Sequence, residues 1–146
     1  MPPTSHEPFH KELDLIQAVV TRLAQNSFYV KGWSITLVSV VLALGKDQLL
    51  TTAHRPWLLS LVLVVWLAFW YLDAYFLRQE RLFRKLYEYV VANPEAPDRP
   101  RYALNVGPFV AKVPIESRIM FSVTLRLFYG VPALVLLGIL VYFLFR

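Results

Sequence analysis

The chain has 146 residues, 57% of them hydrophobic and only 17% charged, with a net charge of +5. Soluble domains run ~45–50% apolar and ~25% charged, and here the excess is gathered into long runs, so the composition argues for membrane spans rather than an oversized core. The absence of cysteine excludes disulfides, thiolate metal sites and a cysteine nucleophile. The length leaves little room for a separate soluble enzyme, and one membrane domain over residues 1–146 is expected.

Residues 1–10 hold three prolines and read as an irregular, polar tail without the form of a cleavable signal peptide. Within it, HEPFH matches H-E-x-x-H, in which two histidines four apart on a helix face bind zinc beside a catalytic glutamate. Pro8 stands between His6 and His10, where a helix interior would lose about 3 kcal/mol. The only other histidine, His54, falls across the predicted membrane. A zinc protease is therefore weighed and set aside in favour of a solvated tail.

From Lys11 the pattern becomes helical. Leu13, Ile16, Val20, Leu23 and Ser27 recur at three- and four-residue steps, with Glu12, Gln17 and Arg22 off the stripe. Residues 11–27 thus read as an amphipathic helix that lies on the membrane or packs on a partner helix. It runs without a breaker into the first span, residues 28–45, in which Lys31 must sit at the entry end and snorkel. Gly32, Thr36, Ser39 and Ala43 form one small-residue stripe, and Ser27, Lys31 and Ser34 a neighbouring one. Such stripes serve close helix packing or line a narrow wet path. If there is a pore, Ser27, Lys31, Ser34, Thr36 and Ser39 line it.

Residues 45–54 form a polar turn. Arg55-Pro56 opens the second helix, with proline where it costs no hydrogen bond. Trp57–Leu77 is the clearest span, with one charge, Asp73. The helix need not stop there: Arg78–Ala92 carries no Gly or Pro and would project ~22 Å beyond the bilayer. Within it, Glu80 and Arg84 are spaced for an ion pair. Trp33 and Trp57 fit interfacial belts. Residues 93–114 hold five prolines and one glycine. They form a loop expected to lie against the helices, since Tyr102, Leu104, Val106, Phe109 and Val110 need cover. Residues 115–146 carry the third span, interrupted by Gly130, Pro132 and Gly138.

Eight basic residues lie between Arg78 and Arg118. Positive charge stays on the cytoplasmic side, so this segment and the N-terminus are expected inside a bacterial inner membrane and the C-terminus in the periplasm. The fold class is then an all-α integral membrane protein: three transmembrane helices, an amphipathic N-terminal helix and a cytoplasmic extension of helix two. Asp73, Lys31 and Arg126 fall at similar depth. Asp73 should pair with Arg126 or Lys31, either as an inner-mouth charge cluster or as a structural pair fixing helix register. Arg78, Arg81, Arg84, Lys85, Arg99, Arg101 and Tyr102 form a basic and aromatic patch. It serves a nucleotide ligand or, more simply, topology and lipid headgroups. No catalytic constellation and no cofactor is indicated.

Two stretches, NSFYVKGWSITLVSVVLAL and WYLDAYFLRQERLFRKLYEYV, together resemble small bacterial membrane proteins of anti-phage operons, in particular the transmembrane effectors of Hailong systems, with CBASS-type membrane effectors as relatives. They cover about a quarter of the chain. The resemblance implies an oligomeric channel that depolarises the infected cell. It further implies a partner nucleotidyltransferase whose oligonucleotide product holds the channel shut; the CBASS relatives instead open on a cyclic nucleotide. It supplies no catalytic residues and singles out residues 26–37 and 73–89. Three spans cannot enclose a pore alone, so a homo-oligomer is required, with a tetramer as the working choice. A second function class, a non-conducting anchor that recruits a cytosolic partner through Arg78–Ala92, fits the same hydropathy.

Overall fold

A computed structural model describes residues 7–47, 55–94 and 100–145. The described residues hold helices and turns without a strand. Three of the helices are long and apolar enough to cross a membrane.

Helix α1 (Glu7–Leu44) and helix α2 (Arg55–Ala92) have 38 residues each. At 1.5 Å per residue each is ~57 Å long, about twice a ~30 Å hydrocarbon core. They form an antiparallel hairpin. Ile16 and Val20 of α1 share a buried cluster with Leu82, Leu86 and Val90 of α2, while the far end brings Gly45 against Leu58. A Cβ at Gly45 would meet the Val41 backbone carbonyl at 2.9 Å as well as a Leu58 methyl, and the carbonyl cannot give way as the methyl can, so glycine is favoured here.

The amphipathic half of α1 therefore lies on α2's extension and not on the bilayer surface. The apolar periodicity alone starts this helix at Lys11 and sets it apart from the first span. In the structure one helix starts at Glu7 and passes through both regions. Pro8 sits in its first turn, where a missing N–H costs nothing. Glu7 and Lys11 pair at 2.6 Å across that turn. Glu12, read as solvent-facing, is buried, and its carboxylate accepts the Tyr102 N–H at 3.0 Å. Tyr102 adopts a positive φ of 62° and donates its hydroxyl to the Pro8 carbonyl at 3.1 Å. The proline-rich loop is thereby fastened to the start of α1. Of its apolar residues Phe109 is buried and Val106 half-buried, while Tyr102, Leu104 and Val110 stay exposed.

After a 3₁₀ turn (Gly107–Lys112), the chain re-enters a helical course as α3 (Glu116–Met120) and α4 (Val123–Leu144). The third span is not one regular helix. It breaks at Phe121-Ser122, and Arg126–Gly130 is wound as a π-helical turn before the regular Val131–Leu144 segment. Irregular backbone at membrane depth survives only where protein groups satisfy it. Here two tryptophans of α2 do so. Trp70 Nε1 donates to the Met120 carbonyl and Trp66 Nε1 to the Tyr129 carbonyl, each at 2.9 Å. The same indoles pack on aromatic rings of the third span: Trp66 stacks on Phe128 and Trp70 on Tyr129, while Trp70 meets Phe121 edge-on. Four residues apart, they face one side of α2 and hold the third span to it.

Candidate functional site: a buried ion pair between the first two spans

Asp73 is fully buried although it lies in the apolar part of α2. It is 18 residues, or ~27 Å, along the helix from Arg55. With a ~30 Å hydrocarbon core starting near Arg55 it stands close to the opposite edge. Its carboxylate is held from α1. Lys31 Nζ lies 2.6 Å from Oδ2, and the Ser27 hydroxyl donates to Oδ1. Lys31 also donates to Ser27 Oγ at 3.0 Å, closing a triangle of three side chains. Ser27 and Lys31 are one turn apart on α1, the spacing that puts both on the face toward α2. The Lys31 side chain remains 23% exposed, so the pair is reached from the surface on the lysine side only.

Two more polar groups border the triangle. Ser34 is fully buried and donates to the Lys31 carbonyl at 2.8 Å. Tyr129 of α4 is also fully buried and lies within electrostatic reach of Asp73 and Ser34. Its hydroxyl has no hydrogen-bond partner among the described residues. The cluster thus joins all three spans at one depth.

This arrangement settles the choice between Lys31 and Arg126 as partner for Asp73. Arg126 is exposed and forms no ion pair with a described residue. The reason is local: the π-helical turn presents Tyr129, not Arg126, to the α1–α2 seam, and the Arg126 stem runs beside Gly130 and Trp70. The charged cluster is Lys31, Asp73 and Ser27, without Arg126.

The five residues assigned to a pore split between two faces. Ser27, Lys31 and Ser34 turn toward α2, and in one copy Ser27 and Ser34 are enclosed by the chain itself. Thr36 and Ser39 are exposed, with the Thr36 hydroxyl folded back onto the Gly32 carbonyl at 3.0 Å. Trp33 and Trp57 are both exposed, as interfacial residues are.

The basic patch is mostly neutralised. Arg78 pairs with Glu116 at 2.7 Å and donates to the Pro114 carbonyl at 3.2 Å. Arg84 pairs with Glu80, and Lys85 with Glu88, each at 2.7 Å. Arg99 lies outside the described residues. Arg81 and Arg101 are exposed, and Tyr102 is used to fasten the loop. The Glu116 carboxyl is held below its usual range, first by its own backbone N–H and then by Arg78, against the opposing effect of burial. Where α2's extension meets the loop, a cleft of 310 Å³ opens between Leu86, Tyr89, Val90, Asn105, Phe109 and Lys112. Lys112 sits 5.6 Å above the Phe109 ring. Only Lys85 of the sequence-derived set borders the adjoining part of this cleft.

His10 is exposed on the first turns of α1, and His6 and His54 lie outside the described residues. Sequence reasoning missed Trp66, Trp70, Tyr129, Glu12 and Glu116. A signal existed for the first two: a four-residue tryptophan repeat in one span beside a Gly-Val-Pro interruption in another.

Comparison with protein-family models, with curated proteins and with solved structures gives no match.

Proposed function

We propose that this chain is the protomer of an oligomeric ion channel or pore-forming effector of bacterial anti-phage defence, controlled by a nucleotide or oligonucleotide from a partner nucleotidyltransferase and depolarising the infected cell. The observation that carries this reading is Asp73, buried with Lys31 and Ser27 inside the apolar stretch of the hairpin. An ionisable residue at membrane depth is expensive and marks ion paths, relays and gates. The resemblance of the segments carrying these residues to anti-phage membrane effectors points the same way. In the proposed orientation the Asp73 cluster lies toward the cytoplasm, as do the N-terminus and the basic segment. Several copies, with four as the working number, surround an axis, and the exposed hydroxyl-bearing face with Thr36 and Ser39 supplies the path. The ligand meets the cytoplasmic half, where Arg81, Arg101 and the Lys112 cleft are unencumbered.

Ion flux from liposomes containing the purified protein tests this. A leak under at least one nucleotide condition is expected, and silence under every condition removes the reading. The runner-up, a non-conducting anchor, draws on the 310 Å³ cleft as a docking point for a cytosolic partner. Overproduced alone, an anchor leaves the membrane potential intact, whereas an unrestrained channel collapses it.

A further inference from the structure

An open groove on the apolar part of the molecule runs between α2 and α4. It has a volume of 620 Å³ and is walled by Leu63, Leu67, Trp70, Leu134 and Leu137, with Arg126 at one end. That arginine is the anomaly. A guanidinium is charged at any accessible pH, and a charge at the rim of an apolar groove in a spanning segment needs a counter-charge or water. Among the described residues none provides the counter-charge: the nearby carboxylates Asp73 and Glu116 are engaged by Lys31 and Arg78. Arg126 is in the first turns of α4, at the end of the span from which Arg118 continues the basic character outward. Groove and cation thus stand in the order of a phospholipid: acyl chain along the leucines, phosphate at the rim.

We propose that the α2–α4 groove is a binding site for an anionic phospholipid, its acyl chain against Trp70 and Leu134 and its headgroup phosphate on Arg126. A guanidinium fork matches phosphate geometry better than an ammonium point charge, and one cation near a membrane surface favours anionic lipid about fivefold. Occupancy also covers the irregular part of the third span, so the lipid is positioned to influence how α4 rests on α2.

Trp70 is the reporter. In a Trp33→Phe/Trp57→Phe background the two exposed indoles are gone; Trp70 lines the groove, whereas Trp66, as deeply buried, does not and contributes the same background with either lipid. Quenching by phosphatidylglycerol with brominated acyl chains is titrated against quenching by brominated phosphatidylcholine. The expected result is about a fivefold preference for the anionic lipid. Arg126→Gln abolishes it, Arg126→Lys retains it at least in part, and Arg118→Gln leaves it in place. Added salt weakens it in the otherwise unmodified background, so the result does not hang on one variant folding. Equal quenching by both lipids, or a preference that survives Arg126→Gln, overturns the proposal. So does Trp70 shielded from both lipids until the protein is dissociated into monomers, because a second copy then fills the groove.

Discussion

Asp73 has no exposed surface and two partners on α1, and the consequences of losing either partner differ. Removing one member of a buried pair leaves the other charge desolvated, at a cost of about 3–5 kcal/mol. Lys31→Met, which strands the fully buried Asp73, should therefore destabilise the protein by that order, read as a lowered midpoint of thermal unfolding in detergent. The double change Lys31→Met/Asp73→Leu restores most of that stability, since apolar replacement of a buried pair is often neutral or better. Conduction separates a structural role from a functional one. If the pair belongs to the gate, the double variant is stable and its flux is altered; unaltered assembly and flux in Asp73→Asn would leave the pair with neither role. Glu116 acts at the same scale but in water. Its carboxyl is held below the ordinary range by its own backbone N–H and by Arg78. A lowered folded-state value means stability that is complete above the ordinary carboxylate range and lost as pH falls through the folded value. The mobility of a spin label on a single cysteine at position 104, which reports release of the loop, should rise as pH falls below the ordinary carboxylate value of ~4, and Arg78→Met should show the higher mobility already at neutral pH.

At the scale of elements, the third span depends on the second. Two indole N–H groups satisfy carbonyls where α3 gives way to α4 and where the π-helical turn ends. Trp66→Phe and Trp70→Phe keep most of the ring packing but remove the donor to a buried carbonyl at Tyr129 and to a part-buried one at Met120, at a cost of about 1–3 kcal/mol for the first and less for the second. Amide exchange over residues 120–133 should rise in both variants while the α1–α2 hairpin stays protected. Equal loosening of the hairpin would show that these indoles matter only as bulk. The same region marks the boundary of what the sequence made legible. The second helix could be read nearly to the residue, because Arg55-Pro56 and Asn93-Pro94 punctuate it and nothing breaks it between. The Glu80–Arg84 pair followed from spacing alone, and forms. Arg126 could not be placed, because the break at Phe121-Ser122 ahead of it and the π-helical turn that it opens shift the side-chain phase by an amount that hydropathy does not encode. The N-terminal helix was read with its start four residues late. A proline between two histidines looked like a breaker, when Pro8 in a first turn is permitted. Glu12 was read as solvent-facing because its loop partner, Tyr102, is 90 residues away.

For the whole molecule, one hairpin ~57 Å long carries both halves of the reading. Its apolar half is long and apolar enough to span, with α4 against it. In the proposed arrangement its other half projects beyond the bilayer, closed by the loop, with Ile16, Val20, Leu82, Leu86 and Val90 as its seam. The charge cluster stands where these halves meet, so displacement of the water-side half bears directly on the pair at membrane depth. That geometry makes the shared side of the two extensions the decisive fact, since both the channel and the lipid groove presuppose it. The chain has no cysteine, so single cysteines at Asp14, Arg81 and Lys46, all exposed, can be tagged in intact cells with a maleimide that does not cross the inner membrane. Labelling at position 46 alone, with 14 and 81 reacting only after the membrane is opened, is the result predicted; reaction at 14 or 81 from outside, or at none of the three until lysis, would contradict it.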